Sequence, residues 1–264
     1  MTATRIDPTA VISTSATLGS GVEIGPYAIV GPQVALEDDV VLDAHVVVRG
    51  RTRVGTRTRV SAFAVVGDTP QDRKFAGEES ALTIGADCVI REHVTVNTGT
   101  SGGRMLTSIG ARCLILAGAH VGHDCVIGDD VILVNHVLLG GHVEIGNHAV
   151  LGGQSAVHQF VRIGPHAMIG GMTGVEADVI PYGVATGDRA RLDGLNLRGL
   201  KRRGFPREQI RGLVRAYRFL FQPGAPLKER LVEALERFAG MPPALDVVRF
   251  LAAPSRRNIC VPRS

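Results

Sequence analysis

One feature of this 264-residue chain constrains its fold more than any other: an aliphatic residue recurs at every sixth position. The series runs from Ile6 to Val66, resumes from Ile84 to Val96, and continues after a change of phase from Ile109 to Val175. Such a short fixed period indicates stacked repeat units. Six residues provide one short strand and one turn, so three units predict a coil of eighteen residues. About nine coils stacked at ~4.8 Å per layer form a prism roughly 40 Å long, a parallel β-helix.

A second regularity concerns the position four residues after each aliphatic one, where small residues recur. Each unit therefore has one large and one small inward position. Cys88, Cys113 and Cys125 occupy the small position, so we expect them to be packed rather than reactive. The composition agrees, because 33 glycines and only 4% aromatic residues suit a narrow core with many tight turns.

Two interruptions of the repeat predict loops that project from the prism. The pattern fails at Asp72 and Glu78, within the segment GDTPQDRKFAGEES. The glycine-rich segment NTGTSGGRML then adds one residue to the expected spacing between Val96 and Ile109. Because loops on a rigid scaffold commonly carry function, we expect both to belong to a site.

Beyond Pro181 the six-residue period ends, and apolar residues recur at the three- and four-residue spacing of helices. Four prolines separate these helical stretches: Pro206, Pro223, Pro226 and Pro242. The sequence thus predicts an all-β domain over residues 1–188 and a small C-terminal α-helical domain over residues 189–264. From residue 189 onward, 17 lysines and arginines face only 6 aspartates and glutamates.

Composition also excludes several classes of function. The basic tail is not interleaved with stacking aromatic residues, so we expect no nucleic-acid partner. The N-terminus lacks a basic segment followed by an apolar run, and no stretch approaches the ~20 apolar residues of a membrane span. We therefore expect a cytoplasmic protein without an integral membrane segment. Four cysteines without CxxC spacing indicate reduced thiols.

Positions 18 residues apart stack directly, and this places several histidines on one outer face. Two adjacent columns result: His123, Gly141 and Gln159, and beside them Asp124, His142 and Phe160. An imidazole that accepts a proton and a backbone N–H that stabilises an oxyanion suit acyl transfer to a hydroxyl. Asp124 could hold the tautomer of His123, but consecutive residues of an extended segment point apart, so the contact depends on the turn.

The other histidines have a simpler interpretation. His136, His148 and His166 share the repeat position of His142, where an outward polar residue is unremarkable. A zinc site of three histidines, as in β-helical carbonic anhydrases, is the alternative. His120 and His123 lie on different sides of a turn, and the preceding coil supplies no further histidine, so we expect no metal.

A third column consists of Asn135, Gly153 and Gly171. Two glycines in line would leave a groove in the outer wall wide enough for an apolar chain. Glycine also suits turns, so the residues alone leave both interpretations open.

Longer motifs are more specific than the single repeats: IGPYAIVGP, HVVV, PQDRKFAGE, AHVGHDCVIG, LGGHVEI, AVHQFVRIG, IGGMTGV and GLNLRGLKRRGFPRE. Through them nearly the whole chain resembles the UDP-N-acetylglucosamine acyltransferases, a family of hexapeptide-repeat transferases. The resemblance implies a left-handed parallel β-helix and a homotrimer with His123 near a subunit boundary. It also implies transfer of a 3-hydroxyacyl chain from the phosphopantetheine of acyl carrier protein to the 3-hydroxyl of UDP-N-acetylglucosamine. That reaction begins lipid A synthesis and needs no metal or bound cofactor.

The resemblance also implies roles for individual residues. His123 matches the general base, Asp124 its partner and Gly141 the backbone oxyanion donor. Gly153 and Gly171 match the groove that sets acyl-chain length. The remaining matches are to substrate-binding positions: Gln71, Asp72, Lys74, His120, His142, His158, Gln159, Asn196, Arg202 and Arg203. The basic tail suits the acidic carrier protein, because opposite fields speed encounter.

Two departures from the family pattern leave the acceptor open. Asn97 stands where many relatives have a histidine near the sugar, and Arg198 stands where an acidic residue is common beside the nucleotide. The acceptor is therefore either the 3-hydroxyl or a 3-amino analogue. An N-acyltransferase of the same pathway is disfavoured because the repeats begin at Ile6. A hexapeptide acetyltransferase that uses acetyl-CoA, a non-catalytic scaffold and a zinc hydratase also remain open.

Overall fold

The computed structural model describes residues 3–222, 224 and 226–262, so Pro223, one of the predicted helix boundaries, lies outside the described residues. Three sheets form the walls of a prism, since successive strands belong to successive sheets. The first sheet has the strand order β1 (Arg5–Ile6), β4 (Glu23–Ile24), β7 (Val41–Leu42), β10 (Arg59–Val60), β13 (Val89–Ile90), β16 (Leu114–Ile115), β19 (Ile132–Leu133), β22 (Val150–Leu151), β25 (Met168–Ile169), β27 (Gly183–Thr186) and β28 (Arg191–Leu195).

The other two walls have nine and eight strands. The second sheet contains β2 (Val11–Ile12), β5 (Ile29–Val30), β8 (Val47–Val48), β11 (Val65–Asp68), β14 (Thr95–Asn97), β17 (His120–Val121), β20 (Leu138–Leu139), β23 (Ala156–Val157) and β26 (Gly174–Val175). The third contains β3 (Thr17–Leu18), β6 (Ala35–Leu36), β9 (Arg51–Val54), β12 (Ala81–Ile84), β15 (Leu106–Ile109), β18 (Val126–Ile127), β21 (Glu144–Ile145) and β24 (Arg162–Ile163). The prediction of a left-handed parallel β-helix followed by a few helices is confirmed.

The core runs along the axis of the prism. From the second coil onward both inward positions of a repeat are buried, as Ile24 and Ala28 illustrate with exposures of 3% and 0%, whereas Ile6 at the open end of the prism is 46% exposed. Cys88, Cys113 and Cys125 are buried at the small position, as predicted. Full burial of each large aliphatic side chain contributes about 1.5–3 kcal/mol, so the buried coils share the stabilisation and the exposed first coil contributes less.

The two predicted loops appear as extra residues in single coils. Paired strands are ordinarily 18 residues apart, as for Arg5 and Glu23. The spacing is 30 residues from Arg59 to Val89 and 25 from Val89 to Leu114, which is 12 and 7 more than 18. These additions lie in the long loop (residues 69–80) and in the glycine-rich loop (residues 98–105).

A residue in the left-handed backbone conformation turns most corners. The third residue after the large aliphatic has a positive φ, for example 58° at Asp124 and 62° at His142. Aspartate and histidine tolerate this conformation better than most residues, which accounts for their recurrence there. We call the edges between sheets one and two, two and three, and three and one the first, second and third corners.

The C-terminal region begins as a hairpin rather than a helix. β28 pairs antiparallel with β27, so strand structure extends across the predicted boundary at residue 188. The helices are α1 (Leu197–Arg202), α2 (Arg207–Phe221), α3 (Leu227–Arg237) and α4 (Pro242–Ala252). Among the described residues no helix is long and apolar enough to cross a bilayer.

Two polar contacts fasten the helices to the end of the prism. The buried Asp178 carboxylate accepts from Arg162 Nε at 2.7 Å, and the Arg162 guanidinium lies over the Phe250 ring of α4. Tyr182 donates its hydroxyl to Asp246 of α4 at 2.8 Å. The C-terminal segment then returns to the prism wall, where Ile259 bridges to Asp178.

Candidate active site

A groove of about 1350 Å³ lies along the outer face of the second sheet and reaches the second corner. It is lined by parts of the long loop, by β17, β20 and β23, and by the turns that follow these strands. Nine predicted site residues line it together: Gln71, Asp72, Lys74, His120, His123, Gly141, His142, His158 and Gln159. The eighteen-residue spacing predicted that His123, Gly141, His142 and Gln159 lie together, and the family resemblance supplied the other five.

His123 and Asp124 form a direct hydrogen-bonded pair. The Nδ1 of His123 lies 2.9 Å from Oδ2 of Asp124. The contact exists because Asp124 adopts the left-handed conformation, with φ 58°, which brings two consecutive side chains to the same side of the turn. An acceptor at Nδ1 places the proton on that nitrogen and leaves Nε2 of neutral His123 free to accept one.

The Asp124 carboxylate is buried and saturated with hydrogen bonds. Its Oδ2 also accepts from Thr100 Oγ1 at 2.6 Å and from the Thr100 N–H at 3.1 Å, and Oδ1 accepts from the Arg104 N–H at 2.7 Å. Burial alone would raise the pKa of Asp124, but the hydrogen bonds from Thr100, His123 and Arg104 together outweigh it and lower the pKa. Asp124 is therefore ionised near neutral pH.

The backbone of Gly141 packs directly against the ring of His123. A Cβ added at Gly141 would lie 2.4 Å from Nε2 of His123, so any side chain there would displace the ring. The backbone N–H of Gly141 donates no hydrogen bond within the described part of the chain. Gly141 is buried, and its N–H, beside a free imidazole nitrogen, is available to stabilise an oxyanion.

Two further histidines of the groove are held in their neutral form. Burial lowers the pKa of His120, and the neighbouring charge of His123 lowers it further. Burial also lowers the pKa of His142, whose ring stacks on Phe160 at 4.4 Å. His120 Nδ1 lies 2.7 Å from Thr95 Oγ1. Neutral histidines can exchange hydrogen bonds with sugar hydroxyls without competing for the proton.

His123, Asp124 and His142 also lie close enough to suggest a cation site. One ligand atom from each lies within 4.8 Å of the others, although Nδ1 of His142 is 3.9 Å from Oδ2 of Asp124. The four hydrogen bonds to Asp124 already occupy its carboxylate. An ion at this position would have to displace them, so the donor set does not favour a metal.

The two loops that interrupt the repeat contact each other beside His123 and Asp124. Glu78 of the long loop accepts hydrogen bonds from the N–H groups of Ser101 and Ala76. Backbone hydrogen bonds, that from Ser101 foremost, lower the pKa of Glu78 to about 2. Ser80 and Thr98 share a buried hydrogen bond of 2.8 Å. Asn97, a departure from the family pattern, donates from Nδ2 to the Thr69 carbonyl and lines the groove.

A second group of predicted site residues lies elsewhere, at the third corner. Arg203 donates to the His148 carbonyl at 2.9 Å. Asn196 donates to the His166 carbonyl at 3.0 Å and caps α1 by accepting from the Gly199 N–H at 3.1 Å. Both polar groups of Asn196 thus have structural partners. Arg202 is exposed beside them. Within one chain, the fold does not bring this group to the groove.

The third column, Asn135, Gly153 and Gly171, lies at the first corner, across the second sheet from His123. We call this predicted site of the acyl chain the acyl lane. A Cβ added at Gly171 would lie 3.3 Å from the Gly153 carbonyl oxygen, and one added at Gly153 would lie 3.4 Å from that of Asn135. The three positions therefore stack as expected. Met168 and Met172, with 42% and 73% exposure, lie beside the lane, which makes the surface around it apolar.

Comparison with curated proteins identifies the family. The chain is 57% identical over 201 residues to an acyl-[acyl-carrier-protein]--UDP-N-acetylglucosamine O-acyltransferase of Methylobacterium radiotolerans, a match that covers 76% of this chain and 74% of the relative. A Brucella ovis protein of the same name is 53% identical, over 75% and 72% of the two chains. This chain belongs to that acyltransferase family. The predicted membership is confirmed.

Solved structures match nearly the whole chain, and two family models match parts of it. UDP-N-acetylglucosamine acyltransferases from Campylobacter jejuni and Francisella novicida superimpose with TM-scores of 0.91 and 0.94 at 37% and 34% identity. The matches cover 98% of this chain and 100% of the first structure, and 97% and 94% for the second. A family model described as bacterial transferase hexapeptide (six repeats) matches residues 106–141, and one described as UDP-N-acetylglucosamine O-acyltransferase, domain 2, matches residues 178–260.

Sequence reasoning missed two contributors to the acyltransferase site. The Arg256 guanidinium lies 4.6 Å above the Phe160 ring and lines the groove. It arrives through the returning C-terminal segment, where Arg257 donates to the Gln159 carbonyl at 2.8 Å. No periodic signal marks a contact across almost 100 residues. Thr100 was also missed, although its loop was expected to carry function.

Proposed function

We propose that this acyltransferase moves a 3-hydroxyacyl chain from acyl carrier protein to the 3-hydroxyl of UDP-N-acetylglucosamine, the first step of lipid A synthesis, in the cytoplasm. Its relatives carry the name of this reaction. The single observation that carries the chemistry is the 2.9 Å hydrogen bond between His123 and the buried Asp124, with the other imidazole nitrogen facing Gly141. The four buried, unpaired cysteines suit a reducing compartment.

In the proposed reaction, Nε2 of His123 removes the proton of the 3-hydroxyl while that oxygen attacks the thioester carbonyl carbon. A C–O bond forms, and the carbonyl oxygen becomes an oxyanion that accepts a hydrogen bond from the Gly141 N–H. When the oxyanion collapses, the C–S bond breaks and the phosphopantetheine thiolate leaves. The proton on His123 then passes to that sulfur. A general base and one oxyanion donor account for about 10²- to 10⁴-fold and 10²- to 10³-fold in rate, respectively.

Asp124 keeps its charge throughout this reaction and stabilises the imidazolium that forms on His123. No step requires a metal or a bound cofactor, because the acyl group arrives activated as a thioester. In this proposal the neutral side chains of His120 and His142 bind the acceptor sugar. The charged side chains of the long loop, Asp72 and Lys74, face the sugar nucleotide, and Lys74 supplies a positive charge for its phosphates.

We further propose that the active unit is a homotrimer. The groove holds the base, whereas Arg202 and Arg203, which the family resemblance assigns to substrate binding, lie at another corner of the same chain, so in this proposal a second copy brings its third corner to the groove. The outward side chains of several strands are apolar and suit an interface: Ile29, Val47, Val65, Leu114, Ile132, Val150 and Met168. Light scattering that shows a monomer at micromolar concentration contradicts this arrangement.

A complementation experiment tests whether two copies share one site. The variants His123→Ala and Arg203→Ala are each expected to be nearly inactive. When the two are co-expressed and purified as mixed trimers, some interfaces pair an intact His123 with an intact Arg203, so a measurable part of the activity returns. Mixed trimers that stay as inactive as the parents place both residues in the same subunit's site.

The reaction itself is tested with radiolabelled 3-hydroxyacyl carrier protein and UDP-N-acetylglucosamine. Transfer of label to the sugar nucleotide is the expected result. Transfer only to the 3-amino analogue would replace the ester with an amide product, in line with the unusual Asn97 and Arg198. Transfer only from acetyl-CoA would show that the protein is an acetyltransferase.

A further inference from the structure

The glycine-rich loop holds the buried carboxylate of the site through one side chain. Thr100 donates from its hydroxyl to Oδ2 of Asp124 at 2.6 Å, and this is the same oxygen that faces Nδ1 of His123. Thr100 is 3% exposed and Asp124 is 1% exposed, so water does not compete for either group. The position of Oδ2, and hence the orientation of the imidazole, depends on this hydroxyl.

The backbone of the same loop closes around the carboxylate. A Cβ added at Gly103 would lie 2.3 Å from Cγ of Asp124, and one added at Gly99 would lie 2.9 Å from its Oδ1. Neither glycine has a left-handed φ, so each is needed for close approach rather than for conformation. At Gly102, in contrast, the nearest atom to an added Cβ is 4.0 Å away.

The glycine-rich loop and Asp124 are in turn held by contacts on two sides. Asp124 donates its own N–H to Thr107 Oγ1 at 2.8 Å, and Thr107 belongs to β15, which follows the loop. Glu78 holds the loop's Ser101 from the other side at 2.9 Å. The carboxylate is thus positioned by a cradle that the rigid prism and the long loop both support.

We propose that Thr100 is a positioning residue of the acyl transfer: it holds Asp124 Oδ2 where that atom orients His123. This inference rests on the proposed function, in which His123 is the base. It gives the glycine-rich loop a role in the reaction besides lining the groove.

Isosteric substitution separates the hydroxyl from the shape. Thr100→Val keeps the volume but removes the donor, and we expect kcat to fall by about tenfold with KM for both substrates unchanged. Thr100→Ser restores the donor and should keep kcat within about twofold of wild type. Gly103→Ala should lower kcat at least as much as Thr100→Val. Melting temperatures identify any variant that has merely lost its fold.

A double-mutant cycle decides whether Thr100 acts through Asp124. In an Asp124→Ala background, Thr100→Val should lower kcat by less than about twofold, since the group it positions is gone. An equal loss in both backgrounds overturns the proposal, as does wild-type kcat in Thr100→Val or equal impairment in Thr100→Ser. His123→Ala is assayed in parallel: if it remains active, the proposed function fails; if it is inactive while Thr100→Val is normal, only the positioning role fails.

Discussion

Two corners of the prism carry the same pair of residue types with different surroundings. At the second corner, Asp124 is buried and lies 2.9 Å from Nδ1 of its histidine, His123. At the third corner, Asp130 is 30% exposed at its side chain, lies 3.7 Å from Nδ1 of His148, and is paired at 2.8 Å with Arg112. The first pair opens onto a groove with an unused backbone N–H, and the second is neutralised by an arginine.

The difference shows that repeat position alone does not define a catalytic pair. Asp124 and Asp130 occupy the same place in the six-residue unit and share the left-handed conformation, with φ 58° and 57°. What separates them is the extra glycine-rich loop, which removes water from Asp124 and supplies backbone donors in place of a cation. An acid that needs no counter-charge remains available to stabilise an imidazolium.

The largest expected effect comes from exchanging the two corners' histidines for alanine. His123→Ala should lower kcat by about 10²- to 10⁴-fold, because the general base is lost. His148→Ala, the matched variant at the third corner, should change kcat by less than about twofold, as expected for a partly exposed side chain. Steady-state transfer assays on both folded variants measure this. Similar losses in the two would mean that the corners are not functionally different.

A smaller but still large effect is expected at Gly141. In Gly141→Ala the methyl group would lie 2.4 Å from Nε2 of His123, so the ring must turn away from both the oxyanion donor and Asp124. We expect kcat to fall by about 10²-fold, comparable to the loss of one oxyanion donor, with little change in melting temperature. Activity within a few-fold of wild type would show that the ring has other productive orientations.

The sequence predicted the stack and its columns because both depend on spacing alone. The stacking of His123, Gly141 and Gln159 follows from the eighteen-residue coil, whereas His120 was assigned to the site only through the family resemblance. The contact between His123 and Asp124 did not follow, since consecutive side chains of an extended segment point apart. The contact depends on the positive φ of Asp124, a backbone conformation that cannot be read from the identities of the two residues.

The contacts that escaped sequence reasoning involve insertions and long returns of the chain. Thr100 reaches Asp124 from a loop whose path no periodic rule specifies. Arg256 meets Phe160 only after four helices have folded back onto the prism. The structural use of Asn196 as the cap of α1 was also not expected, although a polar side chain before a helical stretch is a recognisable signal.

The comparison extends to the first corner, where glycines replace side chains in the column of Asn135. Gly171→Met would fill the lane beside Gly153 with a flexible apolar side chain. If the acyl chain lies there, the preferred donor should become shorter by several carbons, with little change in kcat for that shorter donor. Competition between carrier proteins loaded with different chains measures the preference. Unchanged selectivity would place the acyl chain elsewhere.

The smallest expected effect concerns stability at the third corner, where His166 stacks between His148 and Tyr182. Burial lowers the pKa of His166 to about 4, and the positive charges of His148 and Arg203 add to this effect. In the unfolded chain the same imidazole titrates near 6.5. Between these values the unfolded chain binds more protons than the folded one. The free energy of unfolding therefore falls as the pH drops from about 6.5 towards 4.

His166→Phe should remove this contribution while keeping the stack. Phenylalanine fits the backbone, because Phe160 holds the same left-handed conformation at φ 67°. The substitution also removes a buried Nδ1 that has no hydrogen-bond partner among the described residues, so the variant should be at least as stable as wild type at pH 7.5. Between pH 6.5 and 4.5 its melting temperature should fall by about 2 °C less than that of wild type, as thermal melts followed by circular dichroism can measure. Parallel pH profiles would mean that His166 takes up its proton in the folded state, and that the third corner is more open to water than its stacked rings indicate.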